Sequence, residues 1–231
     1  MNKLDNHQLI EYYYNHYNLE EIFTVDMKSH ITLLTYSRHE HICTDNKDIN
    51  YLLLFVKGKA KVYNTLSNGK SLLLCFYNPL MLLGDLELLN SKINPTNVQA
   101  LELCHCLGIE MNYAKKFLLN DIKFMRYVSS SLGNKLDKCS INNAINLLYK
   151  LENRLASYIL TTGLHDTVNG VTMYIFDENL TNVAELLGTS YRHLLRTLSI
   201  FCEQNILLKR DYFYEIVDIS TLKNLATDLY K

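Results

Sequence analysis

The 231-residue sequence has no apolar stretch long enough to cross a membrane, because none approaches the roughly 18 to 20 apolar residues that a spanning helix needs. Its first residues, MNKLDNHQLIEYYYNHYNLEE, are too polar for a secretory signal peptide. The six cysteines lack the dense spacing of a small secreted domain, so reduced thiols are expected. These absences predict a cytoplasmic protein with no membrane partner.

Proline and surplus positive charge are scarce as well. Both prolines, Pro79 and Pro95, lie in the first half of the chain. The net charge of −1 gives no basic footprint of the kind that nucleic-acid-binding proteins usually show, and only residues 111–150 are basic, with 7 Lys and Arg against 2 Asp and Glu. With 48% hydrophobic residues, the chain is long enough for two domains that each bury a core.

Short β-prone runs fill the sequence from about residue 29 to residue 109. Residues 51–56 and 72–77 are apolar, and between them Asn68 and Gly69 form a strong hairpin-turn signal. Gly58 and Gly84 mark further turns. Many short strands with frequent turns predict an antiparallel barrel or jelly roll, which we assign to residues 1–120.

From about Asp121 the apolar residues take a three-four spacing that is typical of one long helix over residues 121–149. Leu118 is read as the first of them. A second stripe, Phe124 and Val128, is expected to face the strand domain. The helix is either buried in a single core or paired with a second copy, and its polar seam positions and basic charge favour a dimer. The residues predicted for this dimer seam are Ile122, Met125, Ser129, Leu132, Leu136 and Cys139.

Two short helices around a glycine are predicted for NLTNVAELLGTSYRHLLRTLSIFCEQNIL, residues 179–207. Thr181 is expected to cap the first helix, Gly188 to end it, and Thr189 or Ser190 to cap the second. The second helix has an inward apolar stripe of Leu194, Leu195, Leu198, Phe201 and Cys202. Its outward side chains are predicted to be Arg192, His193, Arg196 and Thr197.

These outward side chains suit DNA recognition, since the first exposed side chains of such a helix reach base edges in the major groove. Arg192 and Arg196 lie one turn apart, and an arginine can donate two hydrogen bonds to guanine. Thr189 and Ser190 suit phosphate oxygens, and Tyr191 suits the backbone or a thymine methyl group. The alternative is a small helical subdomain with solvated arginines.

Hairpins surround the two short helices in the segment from residue 150 to residue 231, which we assign as the DNA-binding domain. One strand pair is predicted around Asn169 and Gly170. A second hairpin, in ILLKRDYFYEIV, places Lys209 and Arg210 near its tip, where a wing would hold the phosphate backbone. A hinge is predicted at residues 149–150, between the long helix and this domain.

This order of elements resembles the Crp/Fnr family of bacterial transcription regulators over most of the chain, and YLLLFVKGKAKVY, SNGK and GTSYRHLL are most similar to its YeiL-type branch. The resemblance implies an α+β fold with a cyclic-nucleotide-binding-like β-roll, a dimerisation helix and a carboxyl-terminal winged helix-turn-helix. It also implies a homodimer on a palindromic operator, with RNA polymerase as a candidate partner. Arg196 matches the family's usual arginine, whereas Tyr191 and Arg192 replace its common Arg-Glu pair, so a different operator is expected.

The segment LLGDLELLNSKINPTNVQALE resembles the family's phosphate-binding segment, in which a Gly-Glu pair precedes an Arg-Ser pair. Asn94, Pro95 and Thr96 stand where the arginine would be, so the counter-charge for a cyclic phosphate is missing. We therefore expect no cyclic AMP binding and no cofactor. The effector-pocket candidates are Gly84, Asp85, Glu87 and Thr96.

Two further groups of side chains are candidates for metal or redox sites. His39, His41 and Cys43 alternate in RHEHIC and could share a strand face, but surface histidines are the commoner explanation. Cys104 and Cys106 share another face with His105 opposite, which buried free thiols explain. We therefore predict no metal site at either group. No nucleophile-base pair is evident, so no enzyme is predicted. The main alternative function is a regulatory or scaffold module of the same fold without specific DNA binding.

Overall fold

The computed structural model describes residues 1–90, 96–168, 171–227 and 229–230 of the chain. It is an α+β protein of antiparallel sheets and helices, as the sequence predicts. The strands are β1 (Asn2–Leu4), β2 (Ile31–Tyr36), β3 (His41–Cys43), β4 (Tyr51–Lys57), β5 (Ala60–Thr65), β6 (Ser71–Tyr77), β7 (Leu82–Leu83), β8 (Asn97–Ala100), β9 (Cys104–Glu110), β10 (Leu164–Val168), β11 (Val171–Phe176), β12 (Leu207–Lys209) and β13 (Tyr214–Ile216). The α-helices are α1 (His7–His16), α2 (Asp85–Asn90), α3 (Met111–Phe117), α4 (Ile122–Leu148), α5 (Leu151–Thr162), α6 (Leu180–Leu186), α7 (Tyr191–Glu203) and α8 (Ile219–Ala226).

Packing divides the chain into two compact units. The first unit consists of residues 1–65 and 75–139, and the second of residues 66–74 and 140–231. The helix α4 therefore belongs to the first unit through Cys139 and to the second from Ser140. This division does not test the functional boundaries at residues 120 and 149, which stay a prediction.

Antiparallel sheets form the roll that the sequence predicts for the first part of the chain. One sheet has the order β1-β2-β9-β4-β7, and the other has the order β3-β8-β5-β6. In the first sheet Cys106 lies opposite both Leu34 and Phe55, and all three are buried on one face. The neighbouring residues Leu33, Leu54 and Leu107, which point to the other face, are buried as well, so both faces of the sheet are covered. Gly69 has φ +79° between β5 and β6, which confirms the predicted hairpin turn.

The amino-terminal helix α1 covers one face of that sheet through its tyrosines. Tyr13 and Tyr14 are buried, and the Tyr13 hydroxyl lies 2.8 Å from Nδ1 of His105. His105 is thus a buried, hydrogen-bonded core residue on the face of β9 opposite to Cys104 and Cys106. Burial lowers the pKa of His105, since the charged imidazolium loses its hydration there.

The long helix α4 is confirmed, with two changes at its beginning. Asp121 caps it by accepting hydrogen bonds from the amides of Lys123 and Phe124, at 3.0 and 3.2 Å. Leu118 is not part of α4: it follows the last residue of α3, where its amide bonds to the carbonyl of Ala114. Phe124 and Val128 are buried in the core of the first unit, as predicted. In the part of the chain that the structure describes, no helix is long and apolar enough to span a bilayer.

The second unit combines helices with a sheet of order β10-β11-β13-β12. Its core contains Leu155, Tyr158, Phe176, Leu198 and Phe201, all of which are at most 1% exposed. The predicted strand pair is present as β10 and β11, in antiparallel register from Leu164 opposite Ile175 to Val168 opposite Val171. The turn residues Asn169 and Gly170 lie outside the described residues.

Candidate nucleic-acid interface

The helices α6 and α7 form a helix-turn-helix within the second unit. The first helix is capped by Asn179, whose Oδ1 accepts hydrogen bonds from the amides of Thr181 and Asn182 at 3.0 and 3.1 Å. The prediction that Thr181 caps this helix is therefore wrong. Asn179 and Thr181 both stand just before the apolar residues of this helix, so either could be its N-cap, and an asparagine is at least as good a cap as a threonine.

The turn between the two helices is built by Gly188 and Ser190. Gly188 has φ +59°, a conformation that favours glycine, and the amide of Thr189 then bonds to the carbonyl of Ala184 at 2.9 Å. Ser190 is the cap of α7, since its Oγ accepts a hydrogen bond from the amide of His193 at 3.2 Å. The predicted break and the Ser190 cap are confirmed.

The inward face of α7 fixes which side chains can reach a partner. Leu194, Leu198 and Phe201 are buried, while Leu195 and Cys202 are half-buried. Leu194 and Leu198 are one turn apart, so the helix can rotate little about its own axis without exposing one of them.

The outward face of α7 presents Tyr191, Arg192 and Arg196, which are all exposed. Arg196 lies one helical turn after Arg192. His193 is half-buried, and its Nδ1 lies 3.3 Å from Oγ1 of Thr189. Thr197 does not face outward as predicted: it is 1% exposed, and its hydroxyl donates to the carbonyl of His193 at 3.1 Å. It lies three residues after Leu194 and therefore shares the buried face.

The hairpin of β12 and β13 places Lys209 and Arg210 at or next to its tip, as predicted. Lys209 is exposed. Arg210 donates from Nε and Nη2 to the same carboxylate oxygen of Glu215, at 2.9 and 2.6 Å, so part of its charge is neutralised within the hairpin. Tyr212, which is 94% exposed at the tip, was not predicted from the sequence. Its place in the turn between Lys209 and β13 could have indicated this exposure.

The residues predicted for the dimer seam lie along α4 at two levels of exposure. Ile122 is 64% and Leu136 71% exposed, and Ser129 is also exposed. The remaining three, Met125, Leu132 and Cys139, are half-buried. In the second unit, Leu147 and Leu148 near the end of α4 are 84% and 81% exposed, and the predicted seam did not include them.

The effector-pocket candidates lie at the beginning of α2, apart from Thr96, and the charged group there is already paired. Asp85 is 3% exposed, and its Oδ2 lies 2.6 Å from Nζ of Lys135 on α4. Burial raises the pKa of Glu87, and the nearby Asp85 carboxylate adds to that shift. Gly84 has φ +91°, and a Cβ there would lie 2.9 Å from the carbonyl oxygen of Tyr51, so this glycine has a structural reason.

The fourth candidate, Thr96, is half-buried and stands directly before β8. Its carbonyl oxygen accepts a hydrogen bond from the thiol of Cys43, with a sulfur-oxygen distance of 3.7 Å. Asn94 and Pro95, which take the place of the family's arginine, lie outside the described residues.

The alternating pattern of RHEHIC does not give a shared strand face. His39 lies in a turn with φ +66°, ahead of β3, so the premise of strand alternation fails for it. His41 is on β3, and its Nε2 lies 2.9 Å from the hydroxyl of Tyr63. Across residues 1–90, 96–168, 171–227 and 229–230, no three His, Cys, Asp or Glu side chains are grouped as metal ligands would be.

Comparison with known proteins gives consistent relatives. Residues 33–121 match the family model of the cyclic nucleotide-binding domain. The chain is 30% identical over 210 residues to the regulatory protein YeiL of Escherichia coli O157:H7, covering 91% of this chain and 92% of that protein.

Two solved structures illustrate the similarity of the fold. A transcriptional regulator of the Crp/Fnr family from Eubacterium rectale is 17% identical, with a TM-score of 0.75, and the match covers 93% of this chain and 100% of that one. A CRP-family regulator from Thermus thermophilus is 15% identical, with a TM-score of 0.67, covering 86% and 98%. At such identities the structures bear on the fold alone.

The corrected cap of α6 can be tested with a pair of substitutions. We expect Asn179→Ala to lower the free energy of unfolding by about 1 kcal/mol, because two amides of the first turn lose their acceptor. Thr181→Ala, at an exposed position in the same turn, should change it by less than about 0.5 kcal/mol. Urea unfolding followed by circular dichroism measures both, and a larger loss at Thr181 would contradict the assignment.

Proposed function

Because the chain belongs to the Crp/Fnr family of transcriptional regulators, we propose that it binds specific DNA sequences as a homodimer and regulates transcription from them. The observation that carries this proposal is the outward face of α7. Arg192 and Arg196 lie there on a helix that is capped at Ser190 and seated by a buried apolar face. This is the arrangement that a recognition helix needs.

The chemistry of α7 suits the major groove. Two arginines one turn apart can each read a guanine through its O6 and N7 atoms. Thr189 and Ser190 precede the helix, where hydroxyl groups and the first free amides favour phosphate oxygens. Tyr191 is 49% exposed and stands at the first helical position, next to the DNA backbone in this geometry.

The hairpin of β12 and β13 supports the same proposal as a wing. Lys209 offers a cation to the phosphate backbone, and Tyr212 offers a hydroxyl and a ring at the tip. Arg210 contributes less free charge because Glu215 holds its guanidinium. We therefore assign Lys209 as the main phosphate contact of the wing and Arg210 as the residue that rigidifies it.

A dimer explains the exposed apolar side chains of α4. Ile122, Ser129 and Leu136 follow a seven-residue spacing, which places them on one stripe of the helix. Met125, Leu132 and Cys139 border that stripe and are only half-buried. Pairing two copies along it would set two recognition helices against successive major grooves, about 34 Å apart on a palindromic operator.

The region at the start of α2 argues against cyclic AMP as the effector. A ribose hydroxyl needs a free carboxylate acceptor, and Lys135 already pairs with Asp85 at 2.6 Å. The cyclic phosphate needs a cation, and the sequence has Asn94, Pro95 and Thr96 where the family has its arginine. The proposed protein therefore works without cyclic AMP.

Signal transfer to the helix-turn-helix has a candidate route at the predicted hinge, residues 149–150. Arg154, in the first turn of α5, donates from Nε to the carbonyl of Tyr149 at 3.2 Å and from Nη1 to the carbonyl of Leu187 at 2.6 Å. One guanidinium thus joins the end of α4 to the last residue before the Gly188 turn. A shift of α4 would reach the recognition helix through it, and RNA polymerase is the partner on which a bound regulator would act.

The test of DNA recognition begins with selection of bound fragments from genomic DNA, followed by fluorescence anisotropy on the selected site and on a scrambled one. Arg196→Ala should weaken binding to the selected site by about 1 to 3 kcal/mol, or roughly 5- to 150-fold, because one guanine loses its bidentate donor. Lys209→Ala is the control: it should weaken both sites alike and reduce the salt dependence. Equal wild-type affinity for both sites would favour the scaffold alternative.

The dimer proposal predicts that Leu136→Lys gives a folded monomer. Each buried leucine stabilises an interface by about 1.5 to 3 kcal/mol, and two are lost per dimer while two like charges are placed together. Leu103→Lys, at a position that is 52% exposed between β8 and β9, should leave the dimer intact. Sedimentation equilibrium measures both, and an unchanged dimer for Leu136→Lys would refute the seam.

The effector proposal predicts that cyclic AMP leaves the unfolding temperature and the DNA affinity unchanged. A ligand at 100 times its dissociation constant would stabilise the native state by about 2.7 kcal/mol, which a thermal scan detects easily. Linear adenosine monophosphate controls for general anion effects. A saturable rise in melting temperature with cyclic AMP alone would overturn the prediction.

A further inference from the structure

Two cysteines from distant parts of the chain meet within the first unit. Cys75 is on β6 and is 4% exposed, while Cys139 is on α4 and is half-buried. Both thiols are free. The segments that carry them are in contact on both sides of the pair: Nζ of Lys135 lies 5.6 Å from the centre of the Tyr77 ring, and Nδ2 of Asn142 donates to the carbonyl of Leu74 at 2.5 Å. The two thiols thus face each other between β6 and α4. Neither the proposed DNA interface nor the effector region gives this contact a role.

We propose that Cys75 and Cys139 are a redox-active thiol pair, which a peroxide oxidises to an intramolecular disulfide that joins β6 to α4. The packing of β6 against α4 makes the two cysteines neighbours, and both belong to the same compact unit. Disulfides in a reducing compartment are usually transient and redox-sensing rather than structural.

The two thiols are unequal, and this assigns their roles. The hydrogen bond from Cys75 lowers the pKa of Cys139, and the Lys135 ammonium lowers it further against the opposing effect of burial. The same interaction is the largest cause of the raised pKa of Cys75, and burial raises that pKa further. Cys139 is also the more exposed thiol of the two and lies one turn after Lys135, whereas Cys75 is 4% exposed, so we assign Cys139 as the attacking thiolate and Cys75 as the resolving thiol.

The groups around the pair come from three elements. Lys135 and Lys138 lie on α4, one turn and one residue before Cys139. Tyr77 follows Cys75 on β6 at the next position on the same strand face, and Lys135 lies over its ring at 5.6 Å. Asp85 on α2 holds the Lys135 ammonium. A largely buried ion pair thus keeps a cation beside the thiolate.

The proposed reaction balances with hydrogen peroxide as the oxidant. The Cys139 thiolate attacks one peroxide oxygen, the O–O bond breaks, and hydroxide leaves and is protonated to water, which gives a sulfenic acid. The Cys75 sulfur then attacks the Cys139 sulfur, forming the S–S bond while the S–O bond breaks, and the Cys75 proton leaves with hydroxide as a second water. Two thiols lose two electrons, and one peroxide gains them.

The other cysteines lack this combination. Cys104 and Cys106 lie on one face of β9, but burial raises the pKa of both, that of Cys104 to about 11. Cys202 is half-buried like Cys139, yet burial raises its pKa. Oxidation should therefore select Cys139 over a thiol of comparable exposure.

A disulfide at this place would act on α4. Cys139 borders the seam proposed for the dimer, so fixing it to β6 would change how that helix can meet a second copy. This consequence rests on the proposed function, whereas the disulfide itself does not. Thiol chemistry and DNA binding are therefore measured separately.

The experiment treats the reduced full-length protein with hydrogen peroxide, blocks the remaining thiols by alkylation and maps the peptides by mass spectrometry. We expect one cross-linked pair, Cys75 with Cys139, and a fall of two in the six free thiols. In Cys75→Ser the Cys139 sulfenic acid should persist and react with dimedone, and in Cys139→Ser the cross-link should be lost. Before oxidation, Cys139 should alkylate at neutral pH at least about tenfold faster than Cys202.

Cys202→Ser is the matched control and should leave the cross-link unchanged. A disulfide between Cys139 residues of two chains, or no cross-link while Cys139 and Cys202 react at equal rates, would overturn the proposal. Wild-type binding to the selected DNA site, measured in the reduced state, tests the proposed function independently. Loss of that binding upon oxidation, together with its retention in Cys75→Ser, would connect the two.

Discussion

The architecture depends on one constraint, which is that α4 carries two apolar stripes and can bury only one of them in the core of the first unit. Phe124 and Val128 are buried in the core of the first unit, and this fixes the rotation of the helix about its axis. With that rotation fixed, Ile122 and Leu136 must point to solvent, because they lie on another face of the same cylinder. Burial of one stripe therefore creates the exposed stripe. The exposed stripe on which we propose the dimer contact is therefore a consequence of the core packing.

The same logic produces the outward face of α7. Leu194, Leu198 and Thr197 are buried, so the helix presents the opposite side, on which Arg192 and Arg196 lie. Gly188 and Ser190 set the residue at which the helix begins. Successive residues of an α-helix are about 100 degrees apart around its axis, so a shift of one residue in the sequence register would turn the arginines away from the outward face. The arginines are therefore positioned by apolar packing and by two residues of the turn, which leaves their guanidinium groups on the surface for a partner.

Local chemistry explains which features could be predicted from the sequence. The Asn68-Gly69 turn, the length of α4 and the helix-turn-helix all follow from periodicity and turn residues within a few positions, and the structure has each of them. The predictions for Thr181, Thr197 and Leu118 were wrong by a few positions along the helix, because nearby residues fit the same local pattern of caps and apolar spacing. The pairs Asp85 with Lys135 and Cys75 with Cys139 could not be found this way, because they join residues that are 50 or more positions apart. Such contacts depend on which face of α4 packs against the roll, and a local sequence pattern does not predict this packing.

Both long-range pairs, Asp85 with Lys135 and Cys75 with Cys139, involve the same stretch of α4. Asp85 is buried there beside Lys135, and Glu87 lies in the same turn of α2, where burial raises its pKa. Lys135 offsets one of those charges and also lies beside the thiol pair. The Lys135 ammonium is therefore already paired with a carboxylate, and our proposal that cyclic AMP is not the effector rests in part on that pairing. The proposed disulfide would replace a thiolate beside Lys135 with a neutral group, and it would thereby change the charge of this site without any bound ligand.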